Sequence, residues 1–209
     1  MITKKYDKFI IISQYIENKE LFISGINNDV LKLNYNNENV TELLEIIKKN
    51  RKNEDLYIGL VYHSDMTNSM PFFENIKSEY NNEYEYFSSE FILFMGLLNE
   101  LNDENKTYID LITINDCGED YYDEIMNIEN NLRNIKIRHK FSVDKNTLNN
   151  NWILESDNID LVNLYFNEKI RIWNYRLSLF SYNNLQGHFG PIYDNNRSRV
   201  FHMKDIHGN

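Results

Sequence analysis

A three-layer α/β sandwich around a mainly parallel central sheet is the fold this chain predicts, and three observations predict it. Two continuous apolar runs of strand length, "LYIGLVY" (56–62) and "YIDLITI" (108–114), have the unbroken hydrophobicity of strands buried on both faces. Segments with helical apolar spacing precede and follow them, at 40–50, 88–101 and 120–132. The resulting β-α-β-α-β-α order suits a parallel sheet whose crossovers are helices. The two apolar runs are expected as parallel neighbours at the sheet centre, sandwiched by helices 88–101 and 120–132.

The elements follow in chain order. "KFIIISQYI" (8–16) and "ELFISGI" (20–26) read as strands joined by the polar turn "ENK", and "VLKLNY" (30–35) as a third. Asn39 with Glu42 supplies an N-cap and its capping acid, and "VTELLEIIKKN" then places apolar residues at 40, 43, 44, 46 and 47 with lysines in its last turn. After strand 56–62 comes an irregular stretch, 63–87, of the length that serves function or mobility. "SSEFILFMGLLNEL" (88–101) is apolar almost all round, which predicts a deeply buried helix. Strand 108–114 and amphipathic helix 120–132 follow, then "IKIRHKFSV" (135–143), an alternating strand with one wetter face. "WILES" reads as a short strand, and "DNIDLVNLYFNEKIRIWNYRL" (157–177) as a helix capped by Asp157. Residues 1–177 thus form the α/β domain. Residues 178–209 lack helical periodicity, hold three of the five His and several aromatics, and read as an arm packing on the domain or on a neighbouring subunit.

Composition narrows the function classes. At 209 residues the chain suits one domain, and a domain of this size buries roughly 70% of its unfolded surface without disulfides or a structural metal. A single cysteine excludes an internal disulfide framework and fits a reducing compartment. No segment approaches a membrane span and no signal-peptide pattern opens the chain, so the expected location is cytoplasmic and no membrane partner is expected. A net charge of −10 opposes nucleic-acid binding, because phosphate contacts demand a basic face. Alanine is absent and about one residue in six is Asn. Both follow from AT-rich codons, as in low-GC bacteria, some protists or large DNA viruses; a viral source would place the protein in the host cytoplasm or the virion.

Chemistry-bearing groups in α/β sheets collect beyond the carboxyl ends of the strands. Strand 56–62 runs into His63, and strand 108–114 runs within three residues into Cys117. Parallel neighbours would deliver an imidazole and a thiol to one edge, the arrangement a Cys–His pair requires. The elements "GLVYHSD", "IDLITINDCGED" and "NNNWILESDNIDL", spanning roughly 55–175, resemble the caspase-like cysteine peptidases, and still more an uncharacterised caspase-like domain at the head of large bacterial surface proteins. The resemblance implies His63 as general base, Cys117 as nucleophile, and backbone N–H groups near Ser64 and Cys117 as the oxyanion hole.

Three departures oppose activity. Ser64 stands where that family has Gly, Asp116 precedes the thiol, and Glu119 and Asp120 follow it. Carboxylates around a thiol disfavour the thiolate. The expectation is therefore a degenerate caspase-like domain working through protein contacts, in a homo-oligomer or particle-like assembly suggested by an aromatic content of 14% and the aromatic arm. A cysteine endopeptidase is the competing reading. The acids 116, 119, 120, 123 and 124 lack Ca²⁺-loop spacing and read as a helix N-terminus; His202 and His207 lack a third ligand. No Gly-rich phosphate loop occurs, so no cofactor or metal is expected. Trp152 and Trp173 read as core anchors.

Overall fold

The computed structural model describes residues 4–14, 16, 18–35, 40–62, 89–112, 119–139, 152–154 and 156–173. Strands β1 (Lys8–Ser13), β2 (Val30–Tyr35), β3 (Leu56–Val61), β4 (Thr107–Ile112) and β5 (Ile135–His139) form one sheet, interleaved with helices α1 (Lys19–Ser24), α2 (Val40–Asn50), α3 (Ser89–Leu101) and α4 (Glu119–Asn131). The strand order is β2-β1-β3-β4-β5 and every pairing is parallel. The expected adjacency of the two apolar runs holds: Leu56 pairs with Thr107, and the register continues to Val61 opposite Ile112. The chain moves outward from β1 to β2, then returns past β1 to β3, so the topological switch point lies between β1 and β3.

Side-chain alternation divides the sheet into two faces. One carries Phe9, Ile11, Leu33, Leu56, Ile58, Leu60, Ile109, Leu111, Ile135 and Ile137 in a single core with residues of α2, α3 and α4. Helix α2 buries Val40, Leu43, Leu44 and Ile47, the i, i+3, i+4, i+7 stripe its sequence spells. The sequence expectation of a sheet sandwiched by helices 88–101 and 120–132 is corrected here, because both pack on this same face. Right-handed crossovers require it: the moves β2 to β3, β3 to β4 and β4 to β5 all run in one direction across the sheet. The move from β1 to β2 runs the other way and puts α1 on the opposite face.

That opposite face carries Ile10, Ile12, Val30, Val61 and Ile112 beneath Phe22 of α1 and a C-terminal segment contributing Trp152, Leu161, Val162, Tyr165, Phe166, Ile170 and Trp173. Two sequence expectations fail in this layer. Residues 20–26, read as a strand, form a short helix followed by a turn. Asn18 adopts φ 45°, the Phe22 N–H donates to the Asn18 carbonyl, and Phe22 turns inward to a fully buried position. Residues 157–177, read as one helix, are a strand β7 (Ile159–Asp160), which pairs with β6 (Ile153–Leu154) of the expected short strand "WILES", a single helical turn α5 (Leu161–Leu164) and a 3-10 turn (Glu168–Ile172), as far as the described residues reach. Asp160, not Asp157, is the cap, accepting from the Val162 N–H, and Asn167 caps the 3-10 turn through the Lys169 N–H. Two caps in eight residues stop propagation, since each side chain replaces a helical backbone partner. Trp152 and Trp173 are buried core anchors, as their sequence context predicts.

Helix α3 also departs from its reading. Phe91, Phe94, Met95 and Leu98 are fully buried, but Ile92 and Leu93 are 40% and 54% exposed, so the apolar outer face is not covered by described residues. Among the described residues no helix is long and apolar enough to cross a membrane.

Candidate functional site

Because all five strands are parallel, every strand-to-helix connection leaves from one edge of the sheet. Val61 and Ile112 are register partners at that edge. His63 lies two positions beyond Val61 and Cys117 five positions beyond Ile112, so their segments leave adjacent strands. His63, Ser64, Asp116 and Cys117 themselves lie outside the described residues, as does the arm 178–209. What is described is the frame around them. Tyr62, the last residue before His63, is buried in the helical core, which fixes where the chain leaves β3. Helix α4 begins at Glu119, two positions after Cys117.

Three described helices that start at this edge carry a carboxylate in the first turn: Glu20 in α1, beside Lys19, Glu42 in α2 and Glu90 in α3. A carboxylate there offsets the partial positive charge of its helix N-terminus. Among the described residues no group of three or more His, Cys, Asp or Glu is arranged to hold a metal ion.

A second constellation escaped the sequence reading. Asp110 of β4 is fully buried, and the Arg138 guanidinium of β5 donates to it twice, Nε to Oδ1 at 2.5 Å and Nη2 to Oδ2 at 2.6 Å. The Tyr165 hydroxyl, from the C-terminal segment, donates to Oδ2 at 2.5 Å. The rings of Tyr57 and Tyr108 stack at 4.9 Å, and the Arg138 guanidinium lies over them at 5.5 and 4.7 Å from their centroids. Burial pushes the Asp110 carboxyl upward, while Arg138 and Tyr165 pull against it. Burial alone would lower Arg138, but its hydrogen bonds and charge contact with Asp110 reverse this, so its pKa is raised and it stays a cation. Burial and the adjacent carboxylate push Tyr165 well above its usual value, which keeps the phenol a donor. The signal was visible as a lone Asp inside "YIDLITI" and a lone Arg inside "IKIRH", since charges in doubly buried strands demand partners.

His139 closes β5 at the carboxyl edge. Its backbone N–H donates to Ser156 Oγ at 3.0 Å, and its carbonyl accepts from the Ser156 N–H at 3.2 Å. Burial lowers the imidazole pKa to about 4, with Asp157 pulling upward and Lys136 downward. It is therefore neutral near pH 7.

Comparison with family models, curated proteins and solved structures finds no match to this chain. The site's chemistry rests on its own residues.

Proposed function

We propose that the chain is a caspase-like α/β domain that has lost peptidase chemistry and works through protein contacts, in a cytoplasmic setting with further copies of itself among its partners. The observation that carries this reading is the first-turn carboxylates, Glu20, Glu42 and Glu90, of the helices that start at the edge from which the His63 and Cys117 segments leave. Thiolates need electropositive surroundings, and carboxylates at the helix starts oppose one. The uncovered Ile92 and Leu93 on α3 supply apolar contact area of the kind a protein interface uses.

A second reading is favoured by the start of α4 two positions after Cys117, because a helix N-terminus lowers a thiol pKa. In that reading His63 takes the Cys117 proton, the sulfur adds to a peptide carbonyl, and the leaving amine departs with that proton. The oxyanion is held by backbone N–H groups near Ser64 and Cys117.

Alkylation rate against pH separates the two. The contact-domain reading expects slow modification of Cys117 at pH 6–7 (~pH of a working pair), unchanged by His63→Ala. Fast modification that His63→Ala suppresses would replace it with the peptidase. Self-association is checked by sedimentation of Ile92→Ser/Leu93→Ser and of a chain ending at residue 177. Smaller species than the parent are expected in at least one of them.

A further inference from the structure

We propose that Asp110, Arg138 and Tyr165 form a register key, which selects the residue of segment 152–173 that docks over the centre of the sheet. The inference is independent of whether Cys117 reacts. It starts from an ambiguity in the segment itself. Residues 161–166 read Leu-Val-Asn-Leu-Tyr-Phe, five apolar or aromatic bodies in six positions. Hydrophobic burial is non-directional, so such a stretch can cover an apolar face in several registers at similar gain. Its main-chain contacts are blind to which side chain sits in register, including the Asn27 side-chain amide that donates to the Phe166 carbonyl at 2.6 Å. One bridge between Ile26 and Phe166 is present, with the Asn27 N–H donating to the Tyr165 carbonyl and the Asn167 N–H to the Gly25 carbonyl.

The sheet supplies a slot that is not ambiguous. Gly59, Asp110 and Arg138 are register partners in one row across β3, β4 and β5. A Cβ on Gly59 would lie 3.4 Å from ring atoms of Tyr165, an ordinary contact, and a tight 3.0 Å from Ile112, so the tyrosine ring packs directly over this row. From there its hydroxyl reaches Asp110. The next residue, Phe166, packs instead against Phe22 and Trp152, with ring centroids 5.5 and 5.0 Å away. A one-residue slip would place Phe166 over Gly59 with nearly the same volume. It would also strip the buried carboxylate of one donor and carry a hydroxyl into an aromatic cluster. An unsatisfied buried polar group costs more than its hydrogen bond contributes when made, so the slip is penalised although the packing is not. A buried polar group can trade stability for a unique arrangement in this way. The register in turn sets where Ile170 meets Gly25 and where Trp173 joins Phe22 and Trp152.

The test is amide hydrogen exchange, comparing residues 159–173 with β1–β4, on Tyr165→Phe and on Asp110→Leu/Arg138→Met/Tyr165→Phe. Tyr165→Phe keeps the ring and removes only the hydroxyl. Protection of 159–173 is expected to fall by about tenfold or more relative to β1–β4 in both variants, by local release of the segment. The near-ultraviolet signal of Trp152 and Trp173 should weaken alongside. Equal loss of protection in segment and sheet, or none in either, would overturn the proposal. If the triple variant does not fold, Tyr165→Phe alone decides by the same ratio.

Discussion

The two faces of the sheet are covered by different means. On the α2–α4 face, helices of 11 and 13 residues present apolar stripes to the strands. On the other face, a six-residue helix, one helical turn and a 3-10 turn do the same job. The buried polar network of Asp110, Arg138 and Tyr165 lies on this second face. Long amphipathic helices have one buried stripe and so one way to dock. Short pieces have little local preference, and their placement falls to specific contacts: a carboxylate that takes three donors, and four aromatic rings that interlock.

The sharpest way to break this comparison is Arg138→Met, which leaves Asp110 buried without its cation. A loss of about 3–5 kcal/mol in urea unfolding is expected, with residues 159–173 losing exchange protection first. A wild-type midpoint would mean the network contributes nothing to the second face. Leu98→Ala, in the core of the helical face, should cost about 3 kcal/mol by leaving a cavity, and should lower protection across the sheet together.

His139 gives a pH handle at the end of β5. Its folded pKa, about 4, lies below its unfolded value, so the unfolded chain binds the extra proton between them. The stability it contributes is complete above about pH 6.5 and declines as pH falls toward 4, by about 2 kcal/mol once partial solvation is discounted. His139→Gln should remove that part of the pH dependence; an identical slope in wild type and variant would refute the assignment.

The smallest effects should have opposite signs on the two faces. A Cβ at Gly25 would lie 2.9 Å from the Ile170 backbone, so Gly25→Ala should destabilise by about 1–2 kcal/mol. At Gly96 in α3 a Cβ meets nothing within 4 Å, so Gly96→Ala should stabilise by up to about 1 kcal/mol through helix propensity. Thermal midpoints of the two variants moving in the same direction would blur the distinction.

The sequence by itself determined the parallel sheet and its helical face. "LYIGLVY" and "YIDLITI" could be little else than central strands, and the spacing in "VTELLEIIKKN" named α2 and its buried stripe, because those signals come from periodicity within one segment. It also directed the segments bearing His63 and Cys117 to one edge, since that needs only the β-α order. Tertiary structure alone decided the second face. "ELFISGI" alternates like a strand, yet it is a helix because the chain must cross from β1 to β2 and bury Phe22 against Phe166, Trp152 and Trp173. Residues 157–177 carry helical spacing, yet the described part breaks at Asp160 and Asn167 to cross the sheet and bring Tyr165 to a carboxylate 55 residues earlier in the chain. That contact is set by a hydrogen bond between distant residues, which leaves no period in the sequence. Local pattern names an element when the element buries one continuous stripe; where burial is shared among short, distant pieces, only the assembled fold specifies it.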